Sequence, residues 1–568
     1  MAETIISPGV FARENDISFI QPAPASIGAA IIGPTVKGPV EVPTLVTSYN
    51  DFTRKFGTTF ESSSTSQEFL TSIAAKSYFD QGGESILVSR VVPTASGWAS
   101  AASSHISSSN NGSIEPFELK TIGKGIIYNN NDTENSDGSL PSGSKDNLRW
   151  EISNVDNAKG TFSLTIRRGD DNRNQKIILE TFNDVSLDPN SPDYISAKIG
   201  DQYQTLTSGD LITTGDYVNK SNYVYVSAVN SPTIDYIGND GLIRVASASG
   251  SLPIAESGSF ENATGNIISG GDNYFGDIST TTQGLAASDY TNIISLLGNK
   301  DEFQFNIISA PGVIDAHHGT TVDSIVSLAE TRGDCIAVVD LVGYSELTIS
   351  NVTSQAQGHN SSYAASYWPW LQVQSATGKL VWVPASTVIP GVYAFTDNSS
   401  APWFAPAGLV RGGLTGVIQA RKKLTRTDRD SLYSGKVNPI ATFPGTGISV
   451  FGQKTLQTKA SALDRVNVRR LLIELKEFLG NQAKTLVFEQ NTIATRNRFL
   501  AAVNPYLDSV VQQQGLFAYR VVMDDTNNTA DVVDRNQLVG QIFIQPAKTA
   551  EYIVLDFVVE PTGATFDA

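Results

Sequence analysis

The stretch Asp-Ala-His-His-Gly-Thr-Thr at 315–321 comes nearest to chemistry in this 568-residue chain. An imidazole such as that of His318, followed by Gly319 and Thr320, can act as a general base. It then needs an upstream carboxylate to orient it and a downstream serine as nucleophile. The histidines could instead ligate a metal, which takes three or four ligands at matched spacing. His105 and His359 are distant and sit in polar stretches, and Cys335, the single cysteine, lies in an apolar run. No ligand set forms, and neither metal nor cofactor is expected. There is no G-x-S-x-G elbow and no G-x-x-x-x-G-K-[ST] loop. Arg-Gly-Gly-Leu-Thr-Gly at 411–416 follows a Pro-rich turn rather than a clear strand. The pairs Asp170, Asp171 and Asp524, Asp525 read as solvated turns.

The elements around His318 have α/β character. Phe-Gln-Phe-Asn-Ile-Ile-Ser-Ala-Pro-Gly reads as a strand leading into a turn. Val322, Ile325, Val326 and Ala329 share one helical face, and Gly333 stops that helix. Cys-Ile-Ala-Val-Val-Asp-Leu-Val is then a continuous apolar run, the pattern of a strand covered on both faces. Strand, helix, strand predicts a parallel pair with a crossover. The same order appears earlier, with apolar runs at 28–33 and 85–92 flanking a helical pattern containing Phe69, Ile73 and Tyr78. In this setting the 315–321 stretch is expected to open the helix of the 320s. His318-Gly319-Thr320 resembles the histidine motif of subtilisin-like peptidases, but those carry their serine in a Gly-Thr-Ser context. That tripeptide is absent, and Gly447 of Pro-Gly-Thr-Gly-Ile stands where the nucleophile would be.

The organisation predicted along the chain is α+β and multidomain. Residues 1–22 form an arm. Residues 23–95 together with 296–440 form a discontinuous mixed α/β domain. Residues 96–295 are a β-rich insertion of one or two domains, 441–545 an inner C-terminal domain, and 546–568 a second arm. In the C-terminal domain Leu463, Val466, Leu471, Leu472, Leu475, Phe478 and Leu479 make an apolar stripe, with Gly480 expected to end the helix. A second helix follows, with Pro505 expected to kink or restart it. Near the end, Glu551–Glu560 alternates. Ile553, Leu555, Phe557 and Val559 would point to one side of a strand and Tyr552 to the other.

The net charge is −17, which disfavours nucleic-acid binding. Residues 411–500 nevertheless carry 16 Lys/Arg against 6 Asp/Glu, a net of +10, whereas 96–295 carry 12 against 24. The N-terminus has no basic region followed by an apolar core, and no run approaches the roughly 18 apolar residues of a membrane span. With one cysteine, no internal disulfide can form. The expectation is a protein made and folded in a cytoplasm, without membrane insertion.

Many ordered phrases resemble the contractile tail sheath proteins of long-tailed bacteriophages. They include SPGVFARENDIS and GAAIIGPTVKGPVEVPTLVTSYNDFTRKFG near the start. In the second half they include WFAPAGLVRGGL, LYSGKVNPIATFPGTGISVFGQKTL, VNVRRLLIELK, VFEQN and IFIQPAKTAEYIVLDFVVE. The resemblance implies a structural subunit, not an enzyme, that polymerises around a tail tube in a metastable extended state. It would contract on a baseplate signal to drive the tube through the host envelope. The implied partners are other copies of the chain, the tube protein, and baseplate and terminator proteins. The implied location is the virion tail, with assembly in the host cytoplasm. The middle α/β layer of the family is subtilisin-like, which fits the inactive histidine phrase. Terminal arms would add strands to a neighbour's sheet, through Ile5, Ile6, Val10 and Phe11 at one end and Tyr552, Ile553, Leu555, Phe557 and Val559 at the other. Arg421, Lys422, Lys423, Arg426, Arg465, Arg469 and Arg470 would face an acidic tube or another subunit. The competing readings are the sheath of a bacterial injection device or bacteriocin, with the same mechanism, and a subtilisin-like hydrolase.

Overall fold

The computed structural model describes residues 28–554, except 63–64, 95–96, 110–113, 131–132, 208, 239 and 267–277. Its centre is an eight-stranded sheet. The order is Thr44–Val46, Ile86–Arg90, Ala29–Gly33, Ile307–Ile314, Ile336–Asp340, Ala364–Trp368, Asn438–Phe443 and Gly447–Val450. The six inner strands pair in parallel and the two outer strands antiparallel. Apolar runs without alternation produce this arrangement because both faces are covered. Ala29 and Ile31 enter one core while Ala30 and Ile32 enter the other.

Helices Leu70–Asp80 and Ile389–Ser399 supply one face, through Leu70, Ile73, Tyr78, Val392 and Tyr393. Helices Asp315–Arg332 and Ile349–Gln357 supply the other, through Val322, Ile325, Val326, Ala329 and Val352. Gly333 ends the first of these at φ 71, where its N–H donates to the Ala329 carbonyl at 2.9 Å. A side chain would be strained in that left-handed conformation.

Between 100 and 261 the chain builds a separate antiparallel sheet. Its seven strands are ordered Ile178–Ser186, Thr161–Arg168, Leu148–Asp156, Ser257–Glu261, Ser100–Ser103, Phe117–Lys124 and Val224–Val229. Phe117, Leu119, Trp150, Phe162, Leu164 and Val224 form its core. Arg90, fully buried, ties the two sheets together by donating to the carbonyls of Gly38 and Lys124 at 2.7 and 2.8 Å. Burial lowers its pKa to about 10. On the 148–168 hairpin, the buried side chains of Arg149 and Arg167 share the buried Asp171 carboxylate. Glu134 pairs with Arg149 and Glu151 with Arg167.

The C-terminal part packs two long helices, Val466–Lys484 and Ile493–Gln512, against the antiparallel hairpin Leu516–Val522 and Gln541–Pro546. Two expectations fail here. Gly480 does not end the first helix, which continues to Lys484, because a single glycine lowers helix stability by only about 1 kcal/mol. Pro505 neither interrupts nor restarts the second helix, which runs from Ile493 to Gln512 with the proline inside it. Burial of Val503, Leu507 and Val510 on both sides of Pro505 holds it in register. Among the described residues, no helix is long and apolar enough to cross a membrane.

Asp171 neutralises two buried guanidinium groups, so its removal leaves charge without a full partner. Asp171→Ala is expected to cost about 3–5 kcal/mol of stability, read as a lower midpoint in chemical denaturation.

Candidate functional site

The 315–321 stretch opens the helix Asp315–Arg332, with a kink at His318, whose φ is −126 and ψ 38. His318 is buried, and its Nδ1 accepts from the Ile314 N–H at 3.1 Å. Burial first, and then the neighbouring His317, lower its pKa below the ordinary value. Among the described residues neither ring nitrogen pairs with a carboxylate or a serine hydroxyl. The carboxylate that a base would need is engaged elsewhere. Asp315 pairs with His359 Nε2 at 2.9 Å and accepts from Gln355 at 2.7 Å, while Asp323 lies 3.4 Å from His359 Nδ1. His359 does lie in a loop, just after the helix Ile349–Gln357, but it is buried there and held by two carboxylates of the helix Asp315–Arg332. Three or more His, Cys, Asp or Glu side chains arranged for a metal ion are not found among the described residues.

The basic segment is largely consumed inside the chain. Arg421 lies 4.3 Å over the Tyr344 ring and 5.8 Å from that of Trp382. Lys422 Nζ donates to the Leu347 carbonyl at 3.0 Å. Arg469 is buried against Ser362, with its guanidinium 3.9 Å over Tyr363. Arg470 is buried beside Asp397 and lies 4.7 Å over Tyr393. Arg469 and Arg470 therefore present no charged face. They sit on the side of their helix that docks on the central body, and Tyr363, Tyr393 and Asp397 receive them there. Of the predicted set, Lys423 and Arg426 stand exposed beside the helix Arg426–Ser434, whose Thr425 and Asp428 form a capping box.

Arg465 has a different role. Its Nε and Nη2 donate to the two carboxylate oxygens of Glu551 at 2.7 and 2.9 Å, and its Nη1 lies 2.8 Å from Asp464. Gln453 Nε2 donates to Glu551 at 3.1 Å and to Thr549 at 2.6 Å. Burial works against ionisation of Glu551, but the hydrogen bonds from Arg465, Tyr433 and Gln453 outweigh it and hold the carboxyl below its ordinary pKa. Glu551 is thereby fixed to the body. Immediately after it, Tyr552 and Ile553 are 80% and 78% exposed and join no strand. Leu555, Phe557 and Val559 lie outside the described residues, as do Ile5, Ile6, Val10 and Phe11.

Sequence reading missed the companion feature, the hairpin at 516–546. It is a sheet of two strands only, among the described residues. Ile542, Ile544, Tyr519 and Val521 pack on the helices. Phe517 and Phe543, on the opposite side, are 69% and 57% exposed. The alternation of Gln541–Pro546 was the available signal, since its odd positions are exposed and its even positions half-buried.

Comparison with known proteins finds two family profiles. Residues 283–456 match the phage tail sheath protein central domain, and residues 458–560 match the phage tail sheath C-terminal domain. The chain is 42% identical over 185 residues to a tail sheath protein of Vibrio phage KVP40, covering 33% of this chain and 28% of that protein. It is 28% identical over 406 residues to a tail sheath protein of Salmonella phage ViI, covering 65% and 64%. The matches thus span less than two thirds of these relatives' own lengths. A sheath tail protein of Listeria innocua has a similar fold, with a TM-score of 0.53 at 10% identity, covering 92% of this chain and 96% of that one.

The Asp315 hydrogen bond raises the pKa of His359 above its ordinary 6.5. A raised histidine pKa stabilises the fold fully below the unfolded value, and that stabilisation is lost as pH rises through the folded value. The stability difference between wild type and His359→Gln should therefore be largest below pH 6.5 and shrink at higher pH, as read by thermal melts across that range.

Proposed function

Since the chain belongs to the phage tail sheath family, we propose that it is a structural subunit of a contractile tail sheath. It polymerises with copies of itself around the tail tube in a metastable extended state. It then shortens to drive the tube through the host envelope, under control of baseplate proteins and with a terminator protein at the far end. It works in the virion tail, after assembly in the host cytoplasm.

The observation that carries this reading is a hairpin with no third strand among the described residues, together with a chain that leaves the body after Glu551. A two-stranded sheet is marginal by itself, and its outer edges are templates for further strands. Strand addition supplies backbone hydrogen bonds for affinity and alternate side chains for specificity. The alternating segment 551–560 of one copy is the donor, alongside the N-terminal arm with Ile5, Ile6, Val10 and Phe11. The hairpin at 516–546 of a neighbour is the acceptor. Burying Ile553, Leu555, Phe557 and Val559 contributes on the order of 6–12 kcal/mol, at roughly 1.5–3 per side chain, and ordering the arm offsets part of it. Glu551, held by Arg465, Gln453 and Tyr433, is the pivot from which the arm departs.

The division of labour follows the sheets. Residues 23–95 and 296–440 are the load-bearing α/β domain, and 96–295 the outward insertion. Residues 441–545 face the tube, and 546–568 are the arm. The central layer corresponds to the subtilisin-like layer of such proteins and performs no catalysis, a reading supported by the buried His318, which pairs with neither a carboxylate nor a serine hydroxyl among the described residues. Lys423 and Arg426 contribute weak, releasable attraction to an acidic tube, about 0–1 kcal/mol each.

Removing residues 552–568 keeps the Glu551 anchor and deletes the donor strand. Negative-stain microscopy should show tubular polymers for the full chain and none for the truncated one. Tubes of normal length from the truncated chain would contradict strand exchange. Reversing Lys423 and Arg426 to Glu should leave self-assembly intact and reduce co-assembly with tubes, measured by co-sedimentation. Unchanged co-sedimentation would remove these residues from the tube contact.

A further inference from the structure

The connection between helices Val466–Lys484 and Ile493–Gln512 carries Phe488. Its side chain is fully exposed, and its backbone lies at φ 71. Bulky side chains disfavour that left-handed region. Among the described residues nothing covers the ring, which is fully exposed. Val487 and Ile493 beside it are 60% and 64% exposed.

The connection is held in place. Leu486 is buried in the core of the two helices. Asn491 donates to the Gln537 carbonyl at 2.8 Å and accepts from Arg496 Nε at 2.8 Å. Arg496 also reaches Asp525 at 2.6 Å. Thr492 caps the second helix by accepting from the Thr495 N–H. The ring is therefore presented on a braced support. Strained residues persist where function requires them, and aromatic anchors carry much of the energy of protein interfaces.

We propose that Phe488, flanked by Val487 and Ile493, is a docking knob that seats in a second copy of this chain. This rests on the sheath reading. Asn491 and Arg496 tie the knob to the 523–540 segment that joins the two hairpin strands. It therefore adjoins the end of the hairpin to which the sheath reading assigns neighbouring arms. The nearby charges are paired within the chain, Glu489 with Arg498 at 3.3 Å and Arg496 with Asp525. The knob thus offers a charged tube surface little to complement, and suits an apolar site on another copy. A knob on one copy and its socket elsewhere on the next make a heterologous contact, which propagates as an open helical polymer.

The test uses the full chain carrying Phe488→Asn, since asparagine tolerates the left-handed backbone and removes the ring. Phe488→Tyr is the rescue variant, and Val487→Ser an independent probe of the same knob. The F488N monomer should melt no lower than wild type. Its critical concentration for tube formation, measured by sedimentation without tail tubes, should rise about tenfold or more, as expected for loss of an aromatic anchor. V487S should shift it in the same direction, and F488Y should polymerise close to wild type. F488N polymerising at the wild-type concentration would overturn the proposal. So would normal polymerisation combined with failure only on added tail tubes, which would make the tube the partner. A wild-type chain that forms no tubes under any of these conditions would overturn the sheath reading itself.

Discussion

Backbone donors and acceptors along a strand edge must find partners, and among the described residues the hairpin Leu516–Val522 with Gln541–Pro546 pairs only along its inner edge. One face is anchored by Ile542 and Ile544 on the helices, while Phe517 and Phe543 are exposed and no third strand joins the sheet among the described residues. In the proposed strand exchange, an incomplete sheet on a firm base would be a specific acceptor, because register follows from the pleat and the side-chain alternation. The rest of the C-terminal architecture serves this element. Two helices support it, and the chain leaves it through Pro546 toward the Glu551 anchor.

That support is rigid for identifiable reasons. Arg469 and Arg470 are buried where the first long helix meets the central body, stacked on Tyr363 and Tyr393, with Asp397 compensating Arg470. Breaking a buried pair costs far more than breaking a surface one, so this joint is a poor place for movement. The exit after Glu551 is the opposite, because Tyr552, Ile553 and Val554 are exposed and bury little. The proposed contracting polymer would need this contrast, a stiff body with an exposed connection.

The central sheet was legible from residue pattern, since non-alternating apolar runs such as Ile-Ala-Val-Val-Asp at 336–340 leave few alternatives to a strand covered on both faces. The helix over the 320s and its Gly333 stop were legible for similar reasons, local periodicity and a residue suited to positive φ. Side-chain partners were not. Arg469 and Arg470 looked like a charged face because sequence shows the charge but not that Tyr363, Tyr393 and Asp397, many residues away, fold against it. His359 hid in a polar stretch because its partner Asp315 is 44 positions earlier. The hairpin's openness was equally invisible, since a strand pattern does not reveal how many strands will join.

Strand completion between copies is tested most directly by amide hydrogen exchange in the unassembled and assembled chain. The account predicts that the edge amides of 516–522 and 541–546, together with those of 551–560, exchange quickly in the monomer and become strongly protected in the polymer. Equal exchange in both states at all three segments would contradict it.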